Sequence, residues 1–531
     1  MWPGTSKQMP ASSPGSDPAA APFAFSRAIE EFLTEHPAAA IFEDGRLLFD
    51  LRLAHCSVTA ERGRCLLHLW SDERNLVRTV VGLQPRRNML RLDTRRFGQT
   101  KPQMLTLVPD PDFRTSQAKD TARRRYLRWL EEALKSEFPE WHTEGFRSAM
   151  DLEHSFGPAY ARGVLARGQS AWAVLGVGAE EPPSAVEGAL TLGILWLAYC
   201  REHAGGKRVF QGLRLVLPED AAAATGARMA WLNPAVAQWE LYELSTATGR
   251  LIPCSVAKDG NLDVQLVPAF NPEAVLERSA AAVRELRAML PSKLDVQTEI
   301  RAKGPTEIAF ALHGLEYARI RHGLSPGSFA RRDEVVFGAG PSETVLDEVT
   351  EDLFRDLMDR LVESRSPEAP ARDALYRLQP ERWLESVLRR DLSVLDPLLG
   401  DGPVYSQVPA FTQGSRGVLD LLTVNRRGRL VVLEIKADDD LHLPLQALDY
   451  CARVRMLHRD GTLKAHGYFP GAELADDDPL LCLVAPALHV HPANETVLRH
   501  LAAEVPWELI AVDEHWREQC RVVLRKRAAG S

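Results

Sequence analysis

The sequence predicts an α/β chain of several domains. Three observations carry that reading. At 531 residues the chain exceeds what one hydrophobic core serves. Strand-like alternation and helix-period runs follow one another along it. Its composition, 45% hydrophobic and 26% charged with net charge −8, is that of an ordinary globular protein. The seven cysteines include no C-x-x-C pair. That argues against a disulfide framework and a structural zinc, fits a reducing compartment, and makes a soluble cytoplasmic protein the expectation. The longest apolar run, "LTLGILWLAYC", is too short to span a bilayer, so no membrane partner is expected.

Residues 1–22 are rich in Pro, Ala and Ser and lack the basic start and apolar core of a signal peptide, so a disordered tail is expected there. Residues 23–149 open on the amphipathic "FSRAIEEFLTEH". They then alternate in strand fashion, which predicts a β-rich domain of about five strands closed by the basic helix "SQAKDTARRRYLRWLEEALKSEF". Between Leu51 and Arg128, 17 Lys/Arg stand against 7 Asp/Glu, a local excess inside an acidic chain. Arg86, Arg87, Arg91, Arg95, Arg96 and Lys101 concentrate it around Phe97. Such a patch suits phosphate contacts with salt-dependent, sequence-tolerant binding, and a solvated β-surface is the plainer alternative.

Residues 150–342 mix strand and helix signals and read as a middle α/β or α+β domain. Residues 343–372 hold the amphipathic "SETVLDEVTEDLFRDLMDRLVESR" and a Pro-containing linker. Residues 373–531 read as helix, strand, hairpin, helix, strand, helix, strand. No internal repeat long enough for a solenoid is present.

The last segment carries the chemistry. In "VLDLLTVNRRGRLVVLEIKADDD" two apolar runs flank a turn whose Gly428 suits a positive φ. Pairing symmetric about Arg427 sets Asn425 opposite Arg429, Thr423 opposite Val431 and Asp420 opposite Glu434. Lys436 shares the Glu434 face by period-two alternation. Directly opposed like charges are destabilising unless they share a proton or hold a cation. Hard oxygen ligands in a partly open site favour Mg²⁺, or Mn²⁺, which would polarise a phosphoryl oxygen and acidify its water. Lys436 would orient that water or stabilise charge developing on phosphorus. The plainer alternatives are an Asp420–Lys436 salt bridge, or a Glu434/Lys436 pair that merely ends a strand.

These residues resemble the PD-(D/E)XK nuclease superfamily and, within it, the catalytic domain of the NucS/EndoMS-type DNA endonucleases. The likeness runs from "PERWLESVLRRDLSVLD" through "LEIKADDD" to "PLQALDYCARV". Glu385 matches the family's helical acid, with Glu381 one turn ahead as a competitor; Asp420 matches its aspartate, Glu434 and Lys436 its E-x-K, and Gln446 and Tyr450 its helical pair. The resemblance implies a restriction-endonuclease-like α/β fold and metal-dependent endonucleolytic hydrolysis of DNA phosphodiesters, in repair or defence. Glu385, Asp420 and Glu434 would hold or support the metal, Lys436 would assist the water, and Gln446 and Tyr450 would position the scissile phosphate. The partner set is then nucleic acid, DNA by this resemblance, with a homodimer admitted. The alternative is a nucleic-acid-binding or ligand-sensing regulatory protein whose nuclease-fold domain is not catalytic.

Three further motifs read as structural. "GVGAEEPP" lacks the third glycine of a dinucleotide loop and the lysine of a phosphate loop. "LHVHP" sets His489 and His491 on one strand face, and "WELYEL" offers Glu240 and Glu243 without a following lysine.

Overall fold

The computed structural model describes residues 21–37, 39–43, 46–51, 54–61, 63–70, 75–86, 89–96, 102–109, 113–151, 153–257, 265–324, 331–340, 342–400, 402–412 and 415–528. Residues 1–20 of the expected tail lie outside them, as do Arg87, Phe97 and Lys101, whereas its last two residues, Ala21 and Pro22, begin a helix. Among the described residues the strands form four sheets, and helices cover them, so the chain is an α/β protein built in several units.

The first unit sets α1 (Ala21–Glu35) on a seven-stranded antiparallel sheet. Its strands are β1 (Ala40–Glu43), β2 (Arg46–Asp50), β3 (His55–Glu61), β4 (Arg64–Trp70), β5 (Asn75–Arg86), β6 (Met89–Arg95) and β7 (Gln103–Val108), in the order β2-β1-β7-β6-β5-β4-β3. Alternation puts Leu67 and Leu69 of β4, Leu90 and Leu92 of β6, and Leu105 and Leu107 of β7 inward, against Ile29 of α1. Two more strands exist than the sequence suggests: the short "AIFE" is a strand, and one long run divides into β2 and β3.

The second unit comprises α2 (Phe113–Glu137), β8 (His142–Arg147), β9 (Tyr160–Arg167), β10 (Ser170–Val177), α3 (Pro183–His203), β11 (Val209–Pro218), α4 (Ala222–Met229), β12 (Gln238–Leu244) and β13 (Leu251–Pro253). Its sheet runs β13-β12-β11-β10-β9-β8. The sequence groups α2 with the N-terminal strands. Instead Leu130, Ala133 and Leu134 of α2 pack on Leu165, Trp172 and Val174 of this sheet, because an apolar stripe must cover the face of β9 and β10 left open on that side. Helix α3 is long and apolar enough to cross a membrane by length and composition. It is a core helix here, buried between its own sheet and the C-terminal unit.

A third unit stands where the sequence suggests the end of one middle domain. Helices α5 (Pro272–Arg278), α6 (Ala280–Ala288) and α7 (Ser292–Gln297) pack on an antiparallel sheet of β15 (Thr298–Gly304), β16 (Glu307–Leu312), β17 (Leu315–Leu324), β18 (Arg331–Phe337) and β19 (Thr344–Val345). Strand β14 (Gln265–Leu266), ahead of it in sequence, joins the C-terminal sheet. The segment read as a connection carries α8 (Glu351–Ser364), whose Phe354, Leu357, Met358 and Leu361 complete this third core. Then α9 (Ala374–Arg377) leads into the last unit.

That unit contains α10 (Pro380–Arg390), β20 (Tyr405–Thr412), β21 (Ser415–Val424), β22 (Leu430–Ile435), α11 (Leu443–Arg459), α12 (Thr462–Ala465), β23 (Leu480–Pro486), α13 (Ala493–Leu498), β24 (Trp507–Val512) and β25 (Val522–Arg527). The sheet order is β14-β20-β21-β22-β23-β24-β25. From β20 to β25 it repeats the second unit strand for strand. In both, two antiparallel pairings lead to a central strand, a helix crosses to a parallel neighbour, a second helix crosses to another, and an antiparallel strand closes the edge. The sequence echo is short. "LRLVLP" of β11 precedes the "WEL" of β12 by the same 26 residues, Leu213 to Trp239, that separate "LCLVAP" of β23 from the "WEL" of β24, Leu481 to Trp507.

The two units dock about a local two-fold. Helix α3 packs on α13, and α4 packs reciprocally on α11. Leu232, just after α4, bridges Leu501, just after α13. Around that bridge the Asn233 N–H donates to His500 O and the Ala502 N–H donates to Trp231 O, each at 2.8 Å. Arg228 of α4 closes on Asp449 of α11 at 2.7 Å.

Helix α10 is seated by Trp383, which is fully buried. His313 stacks on its ring at a centroid distance of 4.7 Å, Arg365 lies over it at 4.4 Å, and Tyr376 and Trp516 meet it edge-on. Burial, then the charges of Arg390 and Arg365, push the His313 imidazole down to about 4. The unfolded chain therefore binds a proton near its ordinary 6.5 that the fold refuses. Stability from this site is fully present above that value and is lost as pH falls toward 4. His313→Asn, tolerated at the local φ of +47°, is expected to flatten the fall of Tm between pH 7 and 4.5. An unchanged pH–Tm curve would show that His313 does not carry this dependence.

Candidate active site at the β21–β22 hairpin

The turn sets the register that the sequence dictates. Asn425 N–H donates to Arg429 O at 2.9 Å, Thr423 faces Val431, and Leu421 faces Leu433. Gly428 has φ +80°, and an added Cβ would lie 2.5 Å from Glu473 O, so only glycine fits. The paired ladder ends at Leu421 and Leu433, and the same register continued one step sets Asp420 against Glu434. Both lie on the face that carries Leu422, Val424, Leu430 and Val432 toward α11.

On its other side Asp420 meets Gln407 of β20, since Ser406 pairs with Leu421 and Val408 with Leu419. Gln407 holds φ +56°, a conformation that β-strand residues avoid and that is commonly stored at functional sites. Its Nε2 donates to Glu385 Oε2 at 3.0 Å and to Asp420 Oδ1 at 3.4 Å. The Ile435 N–H donates to Asp420 Oδ2 at 3.0 Å. Glu385, buried on α10, also receives Arg382 Nη1 at 3.1 Å.

Lys436 follows the last residue of β22, and its N–H donates to Val484 O at 2.9 Å. Its ammonium sits 3.7 Å from Glu434, 3.9 Å from Glu381 and 3.9 Å from Asp440. The plain Asp420–Lys436 salt bridge is therefore not the arrangement found among these pairs. Glu434 is 4% exposed, and its Oε2 has no hydrogen-bond partner. Burial and then Asp420 raise the Glu434 carboxyl well above its ordinary range. Burial and then Glu385 raise Asp420, against the Ile435 hydrogen bond. Burial also raises Glu381, opposed by Lys436. Burial pulls the Lys436 ammonium down, but Glu381, Glu434, Asp440 and Asp420 outweigh it and hold the group above its usual value.

Gln446 and Tyr450 lie one turn apart on α11. Burial, with the Glu434 and Asp420 charges behind it, pushes the Tyr450 phenol up to about 12, so its hydroxyl stays protonated beside the pair. Gln407, Asp440 and the Arg382 contact are additions to the sequence-based set. Asp440 is legible in the run "ADDD", and nothing in an alternation pattern marks Gln407.

Among the described residues no group of three or more His, Cys, Asp or Glu side chains is arranged to hold a metal ion. The donor chemistry nevertheless fits a small hard cation at the Asp420–Glu434 pair. A buried carboxylate oxygen without a donor is costly and asks for a cation or a proton. Glu385 Oε2 is taken by Arg382 and Gln407.

The other candidates scatter. Arg86 and Arg95 are exposed, Arg91 is half-buried on the outer face of β6 beside Asp93, and Arg96 binds Glu43 at 3.2 Å. His489 lies in a 3₁₀ turn after β23 rather than on a strand, 3.5 Å from Asp439. The His491 Nδ1 accepts from Ala493 N–H. Glu240 pairs with Arg214 at 2.7 Å, and Glu243 accepts from Ala222 N–H, both structural.

A scan against protein-family models and a search of curated proteins find no match to this chain.

Proposed function

We propose that the C-terminal unit is a PD-(D/E)XK-type nuclease and that the protein hydrolyses phosphodiester bonds in nucleic acid, DNA by the resemblance of its motifs. One observation carries this reading: a buried Glu434 whose Oε2 has no hydrogen-bond partner, beside Asp420, with the Lys436 ammonium 3.7 Å from its Oε1. In hydrolysis a water oxygen bonds to phosphorus, the bond to the leaving oxygen breaks, and that oxygen takes up a proton. Lys436 supplies positive charge where the phosphorane charge develops. Asp420 and Glu434 would hold Mg²⁺ or Mn²⁺, with Gln407, itself held by Glu385, donating to the Asp420 carboxylate. The bound ion would supply Lewis acidity and a more acidic water. Gln446 and Tyr450 would donate hydrogen bonds to the phosphate. Incubating the full chain with duplex and single-stranded DNA and RNA, in Mg²⁺, Mn²⁺ or EDTA, tests this; no cleavage of any substrate in either metal would sink it.

The arginines of the first unit would add affinity without chemistry. Arg86→Ala with Arg95→Ala is expected to weaken duplex binding and lower its log–log salt slope by about 0.9 for each phosphate no longer neutralised. Binding unchanged at every ionic strength would leave them a solvated face.

A ligand-regulated reading has one observation in its favour. A cavity of about 250 Å³ opens between Tyr126 and Trp129 of α2 and the ends of β10, β11 and β12. A small molecule copurifying there would support it.

A further inference from the structure

The repeated unit allows the two halves to be compared position by position. Leu215 and Leu483 hold the same place in "LRLVLP" and "LCLVAP". Leu215 pairs with Leu175 of β10, and Leu483 pairs with Glu434 of β22. Leu175 is thus the counterpart of Glu434, and Val177 of Lys436. Leu175 faces Arg162 across the antiparallel pair, where the hairpin register continued one step past Leu421 and Leu433 sets Glu434 against Asp420. In the second unit, then, Arg162, Leu175 and Val177 replace Asp420, Glu434 and Lys436. Arg162 is fully buried, donates to Ala149 O at 3.0 Å and lies 4.7 Å from the Phe156 ring centre. An anchored guanidinium and two aliphatic side chains offer a divalent cation no ligand. At these three positions this half is silent.

The docking is that of a two-fold dimer made within one chain. Its contacts are isologous: α3 on α13 matches α4 on α11, and the Leu232–Leu501 bridge is flanked by reciprocal hydrogen bonds. A duplex has local dyads of its own, so a two-fold protein with two intact sites offers one site to each strand. Here only one half keeps the carboxylate pair and the lysine. We infer that this pseudo-dimer is a strand-nicking enzyme: one chain, through one site, breaks one phosphodiester of a duplex per binding event, while the silent half serves as the docking mate of the active one. The inference rests on the nuclease reading above.

The test uses supercoiled closed-circular DNA with the full chain in molar excess, in Mg²⁺ and in Mn²⁺. Nicked circle is expected as the first product, converting essentially all of the supercoiled form. Linear DNA should follow only after a lag, through independent second nicks. Lys436→Ala should lose the nicked product, which ties the cut to this site, and sedimentation of the wild type should show one chain per particle. Linear DNA formed from the outset at the rate of nicking would overturn the inference and leave the nuclease reading intact. So would cleavage confined to single strands, or nicking that survives Lys436→Ala. No cleavage in either metal removes the nuclease reading, and this inference falls with it.

Discussion

Lys436→Ala is expected to abolish cleavage, by about 10²–10³-fold or more, in a protein that still folds. The main-chain bond from Lys436 N–H to Val484 O survives the substitution. Stability should nonetheless fall, because the variant leaves Glu434, Glu381 and Asp440 without their shared ammonium. A loss of up to about 3 kcal/mol in metal-free buffer is the scale for a largely buried charge stripped of its partner. Asp420→Asn should also lose cleavage, since an amide is a poor ligand for a hard cation. Its effect on stability has the opposite sign. The amide oxygen can keep the bond from Ile435 N–H, and the repulsion that Asp420 exerts on Glu434 and shares with Glu385 is removed. Melting curves without metal, beside the cleavage assay, separate the cases. If Asp420→Asn melts well below wild type, the carboxylate is structural and the site reading fails.

Trp383→Ala is expected to cost about 3–5 kcal/mol, the range for deleting a large buried aromatic side chain. More than a cavity is at issue. Arg365 is fully buried; it donates to His313 O at 2.8 Å and to Leu375 O at 2.7 Å, and the Trp383 ring covers its guanidinium. Burial holds the Arg365 pKa at about 9, so the charge is already poorly solvated, and deleting the ring removes a cation–π interaction. Because α10 carries Glu381 and Glu385, the variant should lose activity even where it remains folded. Urea denaturation with an activity assay below the transition checks both parts. A loss of under 1 kcal/mol would show that the helix is seated by something else.

The hairpin is readable in the sequence because its information is local. Gly428 and the residues around it fix the turn, the turn fixes the register, and the register places Asp420 opposite Glu434. Groupings between distant segments are not readable in the same way. Helix α2 has an apolar stripe that would serve on either neighbouring sheet, and only the open face of β9 and β10 decides the matter. The five-stranded sheet of β15–β19 is set off from the second unit only by the short polar stretch "KDGN", which looks like any surface turn. The sequence echo between the two units lies in β11 and β23, which are buried and where packing restricts the choice, and in the "WEL" of β12 and β24. The helices between them, and the positions of Asp420, Glu434 and Lys436, have diverged. Gln407 escapes notice for another reason: a left-handed residue inside a strand has no sequence signature unless it is glycine.

The all-round apolarity of α3 also bears on how the polypeptide is made. Its second face is covered by α13 and, at Gly188, by His442 at the start of α11, some 240–300 positions downstream. At about 5–20 residues per second, a ribosome that has finished α3 needs roughly 12–60 s before that cover exists. For that interval the nascent chain holds a helix as hydrophobic as a membrane span. Translation speed and holdase chaperones, rather than the final free energy of the native state, should therefore govern the yield of active protein. Shorter fragments that stop after the second unit should aggregate.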